Sequence, residues 1–183
     1  MSMNLLEECR GAKRIGISGH VRPDGDCIGA CMGLYLYLKK ELPQAEVQVF
    51  LEKPADIYGC ISGIGDVDSA YGEQEQFDVF FALDTSADRL GEAQPYFEKA
   101  GKRINIDHHV TNAGGCGEKN FVDPHASSTS ELICRLIGKE GMNREIAEAL
   151  YMGMAHDTGC FQYSCTSPDT LRAAAELISY GFD

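Results

Sequence analysis

The stretch GHVRPDGDCIGA, Gly19 to Ala30, decides how this chain is read. It follows a short apolar run, RIGIS (14–18), and passes into DCIGACMGLYLYLKK (26–40), where apolar residues recur at helical spacing. A strand therefore hands over to a helix through a turn carrying His20, Asp24 and Asp26. Held together at the end of a buried strand, these groups repel or desolvate one another unless they share a ligand. Pro23 stiffens the turn, and Gly25 permits tight backbone geometry between the two carboxylates. His20 and Asp24 can chelate one cation while Asp26 points to a second. Gly29 and Gly33 let the helix pack closely, with its N-terminal amides facing any bound phosphate.

The rest of the chain repeats the strand-to-helix alternation. EVQVFL (46–51) is a second strand candidate, and FDVFFAL (77–83) a third that runs into Asp84. KRINI (102–106) is a fourth and runs into Asp107, His108 and His109. Almost continuously apolar strands alternating with helices predict an α/β fold, a mainly parallel β-sheet flanked by helices. Three later helices are expected, over 128–141, 143–156 and 167–181, the last opened by Ser167-Pro168 and closed by Gly181. With 183 residues and no Pro/Ser-rich linker, one domain over 1–183 is expected.

Ligands of an open parallel sheet lie outside the carboxyl ends of its strands. That edge collects His20, Asp24, Asp26, Asp84, Asp107, His108 and His109, and Asp157 follows the apolar helix ending in GMAHD. Imidazole and carboxylate without thiolate suit Mn²⁺, with Mg²⁺, Co²⁺ and Fe²⁺ as rivals. More than four such ligands point to two ions, the usual arrangement for in-line attack on phosphorus. Each feature has a plainer counterpart. An Asp-Gly-Asp turn is more often an Asx-rich loop, and an aspartate ending a strand is commonly a helix cap. Asp157 could simply bond the Thr158–Gly159 turn. Capping does not explain their joint appearance at successive strand ends.

Composition narrows the function classes. A net charge of −12 leaves no broad basic footprint for a long nucleic-acid duplex. A small phosphorylated substrate held by metal ions stays open, because the ions supply the positive charge. The eight cysteines are scattered without a CxxC pair, which favours reduced and mostly buried thiols. The N-terminal residues lack the pattern of a secretory signal, and no apolar run approaches membrane-spanning length, so a cytoplasmic location is expected.

Four motifs in order, His20-Val-Arg-Pro-Asp24-Gly-Asp26, Leu83-Asp84-Thr-Ser, Asp107-His108-His109 and His156-Asp157-Thr-Gly, resemble the DHH phosphoesterase superfamily. That superfamily includes RecJ-type exonucleases, family II pyrophosphatases, cyclic-dinucleotide phosphodiesterases and nano-RNase/pAp phosphatases. The Arg-Pro-Asp-Gly-Asp form is similar to the nano-RNase branch; pyrophosphatases typically carry Thr where Gly25 stands. The resemblance implies that His20 and Asp24 bind one Mn²⁺, that Asp26, His108 and Asp157 bind the other, and that Asp84 bridges them. It implies Asp107 as an orienting residue, His109 as a contact to the substrate phosphate, and a water activated by the two metals as the attacking group. Ser127, Ser128 and Thr129 match a segment near the family's site; their plainer role is an N-cap with a Ser128-to-Glu131 box. Arg89 is either a phosphate contact or a solvated side chain.

The activity implied is hydrolysis of small nucleotides, the 3′-phosphate of pAp and short oligoribonucleotides. The rivals are a cyclic- or linear-dinucleotide phosphodiesterase and a non-catalytic nucleotide- or metal-binding module. Two departures stand out. Ala30 replaces a common Ser, and no glycine-rich His motif of a C-terminal DHHA1 domain follows. The chain is therefore expected to be the catalytic domain alone, its partners being a small nucleotide, the missing domain and, in one arrangement, a second copy in a homodimer.

Overall fold

A computed structural model describes residues 3–72 and 75–183. Five strands, β1 (Arg14–Ser18), β2 (Glu46–Phe50), β3 (Val79–Leu83), β4 (Lys102–Asp107) and β5 (Lys119–Val122), form one sheet in the order β2-β1-β3-β4-β5. Every pairing is parallel, with Ile17 opposite Val49 and Phe81, and Phe81 opposite Ile104. The expected α/β architecture is the one observed. The strand order reverses between β1 and β3, so a crevice opens outside the carboxyl ends of these two strands.

Six α-helices accompany the sheet: α1 (Leu5–Glu8), α2 (Gly25–Glu41), α3 (Gln94–Lys99), α4 (Thr129–Gly141), α5 (Arg144–Asp157) and α6 (Pro168–Ile178). Val79, Phe81 and Leu83 of β3 join Ile15, Ile17, Ile104 and Ile106 in a core shared with α2, α4 and α5. Phe80 and Ala82 face the other way, into a smaller cluster with Phe50, Phe77 and Phe97 of α3. The Phe80 and Phe97 rings meet edge-on at 6.0 Å. Both faces of β3 are therefore covered, which is why its sequence is apolar without alternation.

α2 is buried nearly all round, lying between the sheet and α5. A Cβ at Gly29 would lie 2.6 Å from the Ala149 carbonyl oxygen, and one at Gly33 would lie 2.5 Å from Leu150 Cδ2. These glycines set the distance between the two helices. The amides at the start of α2 are partly engaged within the chain: Asp24 is the N-cap and accepts from Asp26 N and Cys27 N. Ser167 caps α6 in a reciprocal box with Thr170. α6 ends at Ile178, short of Gly181, and α4 is interrupted at Gly138 with φ of +65°.

Three elements went unanticipated. β5 is a half-exposed edge strand of four residues, and α1 and α3 are too short to show a hydrophobic period. β3 begins at Val79 because Asp78 turns its carboxylate onto Lys13 N and Arg14 N. All eight cysteines are free; Cys9, Cys27 and Cys31 are buried, but Cys60, Cys160 and Cys165 are exposed, which corrects the expectation of mostly buried thiols. Among the described residues no helix is long and apolar enough to cross a membrane.

Candidate metal centre

The crevice between β1 and β3 gathers the predicted residues. β3 delivers Asp84 in a left-handed backbone conformation, φ +57°, which aspartate tolerates better than most residues. Its amide continues the ladder by donating to the Ile106 carbonyl, so the strand pairing holds the turn. Asp84 is only 2 % exposed. One carboxylate oxygen faces His20 Nε2 at 3.4 Å; the other lies 3.5 Å from His108 Nε2, 3.5 Å from His109 Nδ1 and 3.0 Å from the Thr129 hydroxyl that donates to it. Asp84 thus stands between two groups, as a bridging residue must.

On the first side, His20 donates from Nδ1 to the Val21 carbonyl at 2.8 Å, which turns Nε2 towards Asp84 and Asp24. Burial opposes the imidazolium, but the two carboxylates override it and hold the ring up to about 11. Asp24 responds in the opposite sense: burial raises it, yet His20 and the Cys27 amide bring it down to about 2. On the second side, His108 Nε2 lies 3.1 Å from Asp157 and 3.9 Å from Asp26. His108 is likewise held up, to about 9, against its burial and by Asp157, Asp26 and Asp84. Burial, together with Asp84 and Asp157, pushes Asp26 well above the usual carboxylate range.

Behind these groups sits a supporting layer. Both oxygens of Asp26 accept backbone amides at the start of α4, from Thr129 at 2.7 Å and Ser130 at 2.9 Å. Asp107 accepts from His109 N and pairs with His109 Nδ1 at 2.8 Å, while its other oxygen accepts from Asn112 at 2.7 Å. His109 is raised chiefly by Asp107; Asp107 itself is raised by burial but lowered on balance by His109 and Asn112. Buried Asn105 ties the same loops together, donating to the Ala82 and Thr85 carbonyls and accepting from Asn112 and Cys116.

The remaining predicted residues sit at various distances from this centre. Ser128 caps α4 by accepting from Glu131 N. Ser127 donates its amide and hydroxyl to the buried Glu131 carboxylate, which also accepts from Thr170. The cap is present, but Glu131 reaches back to Ser127 rather than to Ser128. Of that segment, Thr129 is the residue that touches the aspartates. Arg89 is exposed on the turn after β3, and its carbonyl accepts from Val21 N. Sequence reasoning passed over Asn105, Asn112 and Cys27, and quoted His156 in the His-Asp-Thr-Gly motif without giving it a role. Cys27 lies beside His20 and Asp84, with its thiol kept protonated by burial, Cys31 and Asp84. His156 lies beside Asp24 and Asp157. Of the three passed over, Asn112 carried a signal, standing three residues beyond His109.

Four carboxylates, Asp24, Asp26, Asp84 and Asp157, and the imidazoles of His20 and His108 converge here, and buried His108 Nε2, although 3.1 Å from Asp157, makes no well-aligned hydrogen bond among the described residues. Buried nitrogen of that kind is normally satisfied, and a cation is the partner that carboxylates on every side favour. The donor set fits divalent ions.

An open parallel α/β domain with a carboxylate–imidazole cluster at its strand-order reversal defines a class of α/β folds whose site lies at the carboxyl ends of the strands. Within it the chain belongs to the DHH family: the model of the "DHH family, N-terminal domain" matches residues 14–154. The "Bifunctional oligoribonuclease and PAP phosphatase NrnA" of Bacillus subtilis is 34% identical over 169 residues, 89% of this chain and 52% of that protein. Its namesake from Thermus thermophilus is 33% identical over 169 residues, 91% of this chain and 50% of that protein. A solved exopolyphosphatase-related protein from Bacteroides fragilis superposes with a TM-score of 0.83 at 32% identity, covering 97% of this chain and 56% of its own. The chain spans about half the length of these relatives.

Proposed function

We propose that this domain hydrolyses phosphoester bonds in small nucleotides, with the 3′-phosphate of pAp and very short oligoribonucleotides as substrates. The observation that carries the proposal is the Asp84-centred cluster of carboxylates and imidazoles, in a chain a third identical to two proteins named oligoribonuclease and PAP phosphatase. His20, Asp24 and Asp84 would hold one divalent ion; Asp26, His108 and Asp157, with Asp84 shared, would hold the other, Mn²⁺ being the first choice. Bound ions would neutralise phosphate charge and lower the pKa of an attacking water.

The chain's own residues divide the remaining work. Asp107 holds the Nδ1 edge of His109, so that the other ring nitrogen is available to a phosphoryl oxygen. Asn112 and Asn105 hold Asp107 and the loop after β3 in register. Thr129 and the start of α4 keep Asp26 and Asp84 from turning away from the crevice. Ser127 and Ser128 would serve by fixing that helix start, and exposed Arg89 would meet substrate only from the rim. We further propose that a second domain, supplied outside these residues, completes the grip on the nucleotide.

The test is Mn²⁺-dependent release of phosphate or mononucleotide from pAp, a dinucleotide, a short RNA, a cyclic dinucleotide and pyrophosphate, with Asp84→Ala as control. Turnover of pAp and short RNA that disappears in the variant is expected. Preference for the cyclic dinucleotide would move the domain to a signalling phosphodiesterase. Metal binding without turnover of any substrate would refute the enzyme assignment.

A further inference from the structure

Resting on the phosphoesterase reading above, we propose that His156 is a substrate contact, an imidazole that donates to a phosphoryl oxygen from beside Asp24 and Asp157. His156 is outside the six residues assigned to the ions, yet one of its ring nitrogens lies within 4.8 Å of carboxylate oxygens of both Asp24 and Asp157. Those aspartates belong to different halves of the centre, so His156 stands across the gap between the two ion positions.

The seating of the ring identifies its free edge. Nδ1 faces Asp157 at 3.6 Å. Cβ, Cγ and Cδ2 lie over Gly25, where an added Cβ would come within 2.6, 2.6 and 2.8 Å of them. The side chain is nevertheless 45% exposed, and Nε2 is the ring nitrogen that faces neither Asp157 nor, by the contacts above, Gly25. At 3.6 Å Nδ1 makes no hydrogen bond to Asp157, so the single ring proton is free to sit on Nε2, and an Nε2–H there suits a phosphate oxygen or the leaving oxygen of an ester. The only other half-exposed imidazole of the centre is His109, 39% exposed and held at Nδ1 by Asp107.

Gly25 acquires a reason that the turn alone does not give it. It is the first residue of α2, with no left-handed backbone to require glycine; what it provides is the flat surface on which the His156 ring rests. Gly25 and His156 therefore form a matched pair. Any side chain at position 25 displaces the imidazole.

The test is a double-substitution cycle on the full Mn²⁺-loaded chain, reading kcat and KM for pAp and a dinucleotide, metal content, and binding of inorganic phosphate by calorimetry. His156→Ala is expected to lower kcat/KM about 10- to 100-fold, the range for one hydrogen bond to a charged group, with metal content unchanged. Gly25→Ala should reproduce that loss, and because alanine at 156 would keep the Cβ that lies 2.6 Å away, the double variant pairs Gly25→Ala with His156→Gly and should be no worse than His156→Gly alone. Phosphate affinity should fall in parallel. Wild-type kcat/KM and phosphate affinity in His156→Ala would overturn the inference while leaving the phosphoesterase reading intact. Additive losses in the double variant would overturn the pairing. If the wild type turns over neither substrate, the phosphoesterase reading fails, and phosphate affinity decides the contact: a fivefold or greater weakening in His156→Ala supports it, and no change overturns it.

Discussion

Gly153→Ala sets two opposed effects against each other at one position. In the interior of α5 an alanine is worth about 1 kcal/mol more than glycine from helix propensity. Here, however, the added Cβ would lie 2.0 Å from Ser130 Oγ, 2.9 Å from Ser130 Cβ and 3.1 Å from Asp26 Oδ1. A rotamer change at Ser130 relieves the first contact but not the second, so the start of α4 must move away from α5. That start is where the amides of Thr129 and Ser130 hold Asp26 at 2.7 and 2.9 Å, and these bonds lengthen with it. Overpacking costs about 1–3 kcal/mol, and weakened bonds to a charged group cost about 1.5–3 kcal/mol if lost. Set against the propensity gain, the net is a destabilisation of about 1–3 kcal/mol. For a domain of this size that lowers Tm by about 3–10 °C. Thermal unfolding of the metal-free protein measures it, with Gly65→Ala as a control because nothing lies within 4 Å of its added Cβ. Mn²⁺ affinity should fall together with Tm. A Tm equal to or above that of the wild type would refute the reasoning, since propensity would then have won.

Glu131→Gln should lower stability at neutral pH. Burial raises the carboxyl, but Ser127, Thr170 and Arg135 lower it on balance, so its contribution is full above the unfolded pKa of about 4.3 and is lost as pH falls through the lower folded value. Urea melts of the two proteins should converge in acid and separate at pH 7. Because His20 and His108 are held protonated, up to about 11 and about 9, metal uptake at pH 7 should release on the order of two protons and tighten as pH rises. Calorimetry in buffers of different ionisation enthalpy counts them. Asn112→Ala removes the donor to Asp107 and Asn105; turnover is expected to drop about tenfold with metal content preserved. Equal turnover would place Asn112 outside the positioning network.

The fold was legible because four strands are apolar enough, and α2 and α5 long enough, for period and length to identify them. The predicted cluster was legible because strand order brings successive strand ends to one edge, and the residues at those ends were of one chemical kind. What escaped depended on contacts far apart in sequence. Asn105 reads as one polar residue in a strand, yet its side chain bridges the loops after β3 and β4. Gly25 reads as a turn glycine, and only the position of His156, more than a hundred residues later, reveals the steric need. β5, with charged and polar residues at its start and half-exposed ends, lacked any periodic signal.

Bringing Asp26, Asp84 and Asp157 together is unfavourable by both burial and repulsion, and the chain offsets this only in part. Two backbone amides satisfy Asp26, a hydroxyl reaches Asp84, and imidazolium character on His20 and His108 supplies positive charge. These donors fix the carboxylates in place without saturating them, and buried His108 Nε2, 3.1 Å from Asp157, makes no well-aligned hydrogen bond among the described residues. A domain stabilised for its own sake would replace such a cluster with apolar side chains, since buried charge networks seldom outperform well-packed hydrophobic ones. The incomplete neutralisation is best understood as a seat for cations. Chelation of Mn²⁺ should therefore raise Tm, and Asp84→Asn should raise the stability of the metal-free protein while abolishing that increment. A variant less stable than the metal-free wild type would show that the cluster is structural, and the cation seat would lose its main physical support.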